Sequence, residues 1–329
     1  MQKKFITNLG FLLVLNFLIK PFYILGIDAE IINRVGAETY GVYFTLFNFS
    51  FLFNIVLDLG INNYSTTTLA KSEHLLPKFF SRLLSLKVLL LGIYVLFTLL
   101  IGLVWGYSNY EIKLLLLLVL NQGIVALIMY LRSNLSGVQL FFKDSIVSVL
   151  DRFLMIFICS VLLWGGFTNK PFEIEWFIYA QTVSYCITLL LALFWVWKEA
   201  AFIKLKFDNI FSLAILKQSL PYALLVLLMS FYYRSDSVML QKMLEDGNRQ
   251  AGYYAQAYRF FEAGNMVAYL FAVLLLPIFS KMIKLNHSLV GIVDISFKIV
   301  FSGAIILSVM CFQFGEEILA WRYEDISSQ

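Results

Sequence analysis

Charged side chains interrupt stretches of this sequence that are otherwise apolar. Lys20 stands directly before Pro21, Asp58 falls in the second such stretch, Arg234 and Asp236 in the seventh, and Arg259 and Glu262 in the eighth. Each costs about 2.5–3.5 kcal/mol at the centre of a membrane-spanning helix, so water, a partner charge or an anionic ligand must offset it. Arg259 and Glu262 are three residues apart and can meet on one helical face. Arg234 and Asp236 are two apart and point in different directions, so at least one needs a partner from another helix. Lys20 and Arg234 come at similar depths in their stretches. Two cations on a shared cavity suit a phosphate-bearing substrate, Arg as a planar fork and Lys as a point charge. Blander readings stand beside this one. Lys20 could snorkel to the outer headgroups, Arg259 and Glu262 could be a structural ion pair, and Asp58 could pack beside Asn54 and Asn62 as a hydrogen-bond acceptor.

The elements that position these residues follow from composition. Hydrophobic residues make up 60% of the chain and charged residues 14%, more apolar surface than one soluble core of 329 residues can hide. The expected fold is therefore all-α, a polytopic membrane bundle. Helical spans need roughly 20 apolar residues, and the sequence offers them at 7–27, 40–66, 83–105, 112–138, 145–167, 174–197, 217–240, 251–278 and 289–312. A segment from Glu316 starts apolar and ends in the polar tail Arg322–Gln329, as though beginning a tenth span. Strict two-residue alternation is absent, which argues against a transmembrane barrel. Pro21 is expected to kink the first helix by removing an interior hydrogen bond.

Lys and Arg placement predicts the orientation. Lys3 and Lys4 precede the first span, and alternate loops carry Lys71, Lys78 and Arg82; Lys143 and Arg152; Lys198, Lys204, Lys206 and Lys217; Lys281 and Lys284. The opposite loops carry Glu30, Glu38, Glu111, Glu173, Glu175, Glu245 and Asp246. Basic loops stay cytoplasmic, which places the amino terminus inside a plasma membrane and accounts for the net charge of +4 without nucleic acid. Cys159, Cys186 and Cys311 fall within spans, and His74 and His287 are isolated, so neither a disulfide framework nor a metal site is expected. No phosphate-cradling Gly-rich loop or cofactor motif is present.

One stretch occurs twice. Asn33-Arg-Val-Gly-Ala-Glu-Thr-Tyr-Gly-Val-Tyr43 lies between apolar runs, and Leu244-Glu-Asp-Gly-Asn-Arg-Gln-Ala-Gly-Tyr-Tyr254 occupies the same setting in the second half. The echo continues: Ala70-Lys71 answers Ser280-Lys281, Ser85-Leu-Lys-Val88 answers Ser296-Phe-Lys-Ile299, and Gly92 answers Gly303. Duplicated halves point to a transporter with its substrate site between them. The expected division is a six-helix bundle over 1–200, a cytoplasmic connection over 201–216 and a second bundle over 217–329. Six helices per unit make the repeats parallel, with the second unit incomplete.

Val35-Gly-Ala-Glu-Thr-Tyr-Gly-Val-Tyr43, Leu57-Asp-Leu-Gly-Ile61 and Ala70-Lys71 resemble the amino-terminal signature of bacterial polysaccharide flippases. These are the O-antigen and capsule exporters of the multidrug/oligosaccharidyl-lipid/polysaccharide exporter superfamily. Ser219-Leu-Pro-Tyr222, Arg234-Ser-Asp-Ser-Val-Met-Leu240, Gly252-Tyr-Tyr-Ala-Gln-Ala-Tyr-Arg259 and Pro277-Ile-Phe-Ser-Lys281 follow in the family's order. The resemblance implies two bundles around a cavity that opens alternately to either side. It implies an undecaprenyl-diphosphate-linked oligosaccharide as substrate, with Lys20, Arg234 and Arg259 on the diphosphate or anionic sugars and Asp236 and Glu262 balancing them. Membrane lipids, and the polysaccharide polymerase and chain-length machinery, are the implied partners. Family members usually have twelve or fourteen spans, so the resemblance also implies a chain shortened at its carboxyl end. Two rivals remain: a multidrug antiporter of the same superfamily, with Asp58 as the coupling carboxylate, and a membrane glycan polymerase, which the short outer loops disfavour. A non-transporting, truncated product is a further alternative.

Overall fold

Helix breaks, more than helix lengths, shape this protein. The computed structural model describes residues 16, 18–71, 73–166, 171–200, 208–284 and 288–324. Lys3, Lys4, Lys204, Lys206, His287 and the start of the first expected span lie outside them. Among the described residues there are helices and turns and no strand. The first helix, α1, covers 18–28, and its last six residues, Tyr23–Asp28, wind as a π-helix. Pro21 does not break it; the departure from α-geometry comes just after, where the chain widens to i→i−5 pairing. α2 (Ala29–Leu52) continues from α1 and contains a sharp turn at Gly36, whose φ of +79° is a left-handed conformation that glycine adopts without cost. That turn lies within the repeated polar hinge.

The second crossing is not one rod. After α2 the chain forms α3 (Ile55–Asp58) and α4 (Ile61–Lys71), with positive φ at Leu59 and Gly60 between them. The helical run Leu18–Leu52 and the run Ile55–Ala70 that follows it are bent by 44°. The longer helices follow: α5 (Leu76–Val104), α6 (Asn109–Gly137), α7 (Phe141–Trp164), α8 (Ile174–Ala200), α9 (Asn209–Met243), α10 (Gly247–Lys284) and α11 (Val290–Arg322). Ser108 starts α6 with a reciprocal cap, its side chain accepting from the Glu111 amide while the Glu111 carboxylate accepts from the Ser108 amide. The segment from Glu316 does not start a tenth span. It continues α11 beyond a kink at Phe314, because Glu316–Trp321 offers no helix-breaking residue.

Among the described residues five helices are long and apolar enough to cross a membrane, and the bent pair, counted as one span, makes a sixth. The protein is an all-α, multi-pass membrane bundle. Its core forms where α2 packs on α6, α8, α9 and α10. Two buried phenols tie α5 to its neighbours: Tyr94 donates to the Ser50 carbonyl at 2.8 Å and Tyr130 to that of Phe80 at 3.0 Å. The helix ends are tied in two groups. Gln241 joins Glu111 and Asn248 at one end, where Arg322 also meets Glu30. Arg82 meets Asp208, and Lys143 meets Glu199, at the ends carrying the basic segments. None of the residues of α11 is buried, yet Tyr323 just beyond it is, packed on Phe260.

Candidate functional site

The repeated motif is where the halves meet. Gly41 on α2 lies so close to α10 that a Cβ would run into the Asn248 carbonyl oxygen. Gly252 on α10 lies just as close to α2, against the Ala37 carbonyl oxygen. Ala37 is four residues before Gly41, and Asn248 four before Gly252, so the two copies of the motif make one contact in both directions. Small residues allow this backbone approach between membrane helices.

Beyond that contact lies a cavity of about 750 Å³. α1, α2, α7 and α8 wall it on one side, α9 and α10 on the other. Lys20, Arg152, Arg234, Arg259 and Glu262 are its charged lining. Tyr23, Tyr43, Phe47, Tyr185 and Tyr258 supply aromatic faces.

Arg259 is the hub of the polar network. Its guanidinium pairs with Asp28 at the end of the π-wound turn, donates to the Tyr40 hydroxyl at 2.6 Å and meets Glu262 at 2.5 Å. Tyr40 in turn donates to Asp28 at 2.9 Å. Asp28 is only 1% exposed, so this pair sits where solvent screening is weak and loss of one partner is costly. Its second oxygen, Oδ1, has no hydrogen-bond partner among the described residues. Arg234 donates to Asn48 at 3.0 Å, lies 3.5 Å from Glu262, and is stacked over the Phe51 ring. Glu262 thus bridges the two arginines, and Asn48, Asp28 and Tyr40 bind them to the first half.

The six sequence candidates therefore separate. Lys20, Arg234, Arg259 and Glu262 come together at the cavity. Asp236 is not part of the lining; it accepts from Tyr254 at 3.0 Å in an exposed setting. Asp58 is elsewhere, held at 2.5 Å by Lys87 of α5, whose ammonium also donates to the Leu57 carbonyl at the helix break. Asp28, Tyr40 and Asn48 were not candidates, and Arg152 counted only among the basic loops. Asp28 had a readable signal in its place just before the acidic Glu30 hinge, but nothing in its spacing matched Arg259. Arg152 stands inside α7, stacked 4.8 Å over the Tyr23 ring.

The membrane helical bundle thus holds a charged, aromatic cavity. A family model described as polysaccharide biosynthesis protein matches residues 7–283. The chain belongs to this family. No curated protein and no solved structure matches it. Among the described residues no cluster of His, Cys, Asp and Glu could hold a metal ion.

Proposed function

We propose that this protein flips an undecaprenyl-diphosphate-linked oligosaccharide from the cytoplasmic to the periplasmic leaflet of a bacterial inner membrane. The observation that carries this reading is the cavity between the two halves, which combines four cations with a ring of aromatics. Cations offset an oxyanion inside the membrane, and aromatic faces stack on sugars. In this reading the amino terminus is cytoplasmic, since the helix ends carrying the basic loops gather on one side. The reciprocal Gly41–Gly252 contact then lies on the periplasmic side and closes it, so the cavity belongs to the state that loads from the cytoplasm. Alternating access consists of parting α2 from α10 there and closing the opposite end. Lys20, Arg234 and Arg259 face the cargo, Glu262 balances the arginines, and Asp236 tunes α9 through Tyr254. The prenyl chain stays in lipid beside the bundle.

The test is complementation in a host deleted for its own O-antigen flippase. Restored surface polysaccharide, lost again with Arg234→Ala at normal expression, is the expected result. Full complementation by Arg234→Ala would count against the site, and no flipping of any lipid-linked glycan by well-expressed protein would count against the function.

A further inference from the structure

Resting on the flipping reading, we infer that the anionic group of the cargo binds between Lys20 and Arg152, on the first-half wall of the cavity. Its chemistry is that of an oxyanion, a phosphoryl group or a sugar carboxylate.

Charge bookkeeping separates two regions of the cavity. Arg234 and Arg259 are already answered by Glu262 and Asp28, two cations against two carboxylates. Arg259 also donates from Nε and Nη2 to the Tyr40 hydroxyl, and Arg234 donates from Nη1 to Asn48. An arriving anion there must compete with carboxylates that are tied to both halves. At the other region Arg152 has only Asp151, 3.7 Å from its Nε. Lys20 makes no hydrogen bond or ion pair with the described residues. Two cations face one carboxylate, and one positive charge is left over in a low-dielectric setting.

The backbone brings the two cations to one level. Asn16 donates to Ser148 at 3.3 Å, and further along both helices Tyr23 lies under the Arg152 guanidinium. Contacts that advance in chain order on both elements mean α1 and α7 run parallel. Lys20 is four residues, about one turn, beyond Asn16, as Arg152 is beyond Ser148. Arg152 is also positioned for the task. Tyr23 holds its plane, the Tyr185 hydroxyl accepts from Nη1 at 3.5 Å, and Nη2 makes no hydrogen bond among the described residues. A guanidinium fixed by stacking, with a free edge beside an ammonium, is the arrangement that takes two oxygens of one anion.

The test is calorimetric binding to the full chain in lipid nanodiscs, with farnesyl diphosphate and, separately, glucuronate as probes. Lys20→Gln and Arg152→Gln should each weaken farnesyl diphosphate by roughly tenfold, the loss of one charge-assisted contact. Arg234→Gln should cost at least about threefold less than either. Lys143→Gln, which removes the same charge outside the cavity, should leave binding unchanged. Lys20 supports no other side chain by hydrogen bond, so Lys20→Gln decides the matter even if Arg152→Gln fails to fold. Glucuronate sensitive to the same two substitutions would place a sugar carboxylate there; sensitivity of farnesyl diphosphate alone would place the lipid's phosphates there. Binding of both probes unaffected by Lys20→Gln, or an equal loss with Arg234→Gln, overturns the inference. Normal flipping by Lys20→Gln protein also overturns it and leaves the function standing, whereas tight probe binding by a wild-type protein that flips nothing contradicts the function alone.

Discussion

Gly41 of α2 and Gly252 of α10 sit at matching points of a contact that the chain makes twice. Each glycine faces the carbonyl oxygen four residues before the other. Such an arrangement is self-complementary, like the interface of a two-fold dimer, although one chain supplies both sides. Because the obstructing atoms are backbone, no rotamer change can relieve an added methyl group. Gly41→Ala and Gly252→Ala should therefore each destabilise this arrangement by about 1–3 kcal/mol, the usual cost of overpacking. Spin labels on exposed Glu38 and Arg249 should move apart in either variant. An unchanged distance distribution would mean that the contact does not hold the halves together.

Asp28 and Arg259 tie the π-wound end of α1 to α10. Asp28→Asn removes the charge and leaves Arg259 to Glu262 and Tyr40. Breaking one side of a buried pair costs about 3–5 kcal/mol, whereas replacing both partners by apolar residues costs less. Asp28→Leu combined with Arg259→Met should therefore melt closer to wild type than Asp28→Leu alone. A double variant as unstable as the sum of the singles would exclude a direct interaction.

Lys87 is 2% exposed and its ammonium spans Asp58 and the Leu57 carbonyl, at the break between α3 and α4. A tethered cation thus occupies the place that a coupling ion would take beside Asp58. Lys87→Met should cost several kcal/mol, about 3–5, and adding Asp58→Asn should recover part of it. Asp58→Asn alone should keep transport in proportion to expression. Abolished transport at full expression would restore Asp58 as a coupling group.

Arg322 holds the end of α11 against α1, donating from Nε and Nη2 to the Leu25 and Gly26 carbonyls at 2.7 Å each, while Asn33 donates to its own carbonyl. No residue of α11 is fully buried, so this clasp, the half-buried Leu319 and Tyr323 carry its docking. Arg322→Gln should lose about 1–3 kcal/mol of that attachment. Cysteines placed at Asn33 and Glu324, where the Glu324 amide donates to Asn33 Oδ1 at 3.3 Å, should then crosslink far more slowly than in the parent. Undiminished crosslinking would assign the docking to Leu319 and Tyr323.

The bundle was legible from composition, because apolar runs of that length leave lipid as the only solvent. The Gly36 turn was legible too, since the polar hinge around it is too short and too polar to remain in a span. What the repeat meant was only half visible. Gly41 and Gly252 read as parts of a duplicated motif, but that the copies touch each other depends on helix packing, which spacing along one chain does not encode. Arg259 and Glu262 were paired by their three-residue spacing. Asp28 and Arg152 were not paired with anything, because their partners, Arg259 and Tyr23, come from distant helices. Lys87 escaped for the opposite reason: a lone lysine in a span looks like a snorkelling residue until α3 supplies its carboxylate.

The most direct test of the account is a flipping assay on the purified chain in proteoliposomes carrying a fluorescent undecaprenyl-diphosphate-linked oligosaccharide. A quencher outside the vesicles reports how much of the lipid reaches each leaflet. The account predicts that wild-type protein equilibrates the label between leaflets, and that a cleavable bifunctional crosslink between cysteines replacing the exposed Glu38 and Arg249, which pins α2 to α10, stops it until cleaved. Flipping that continues with the halves locked together, or its absence with a full set of lipid-linked glycans, would contradict the account.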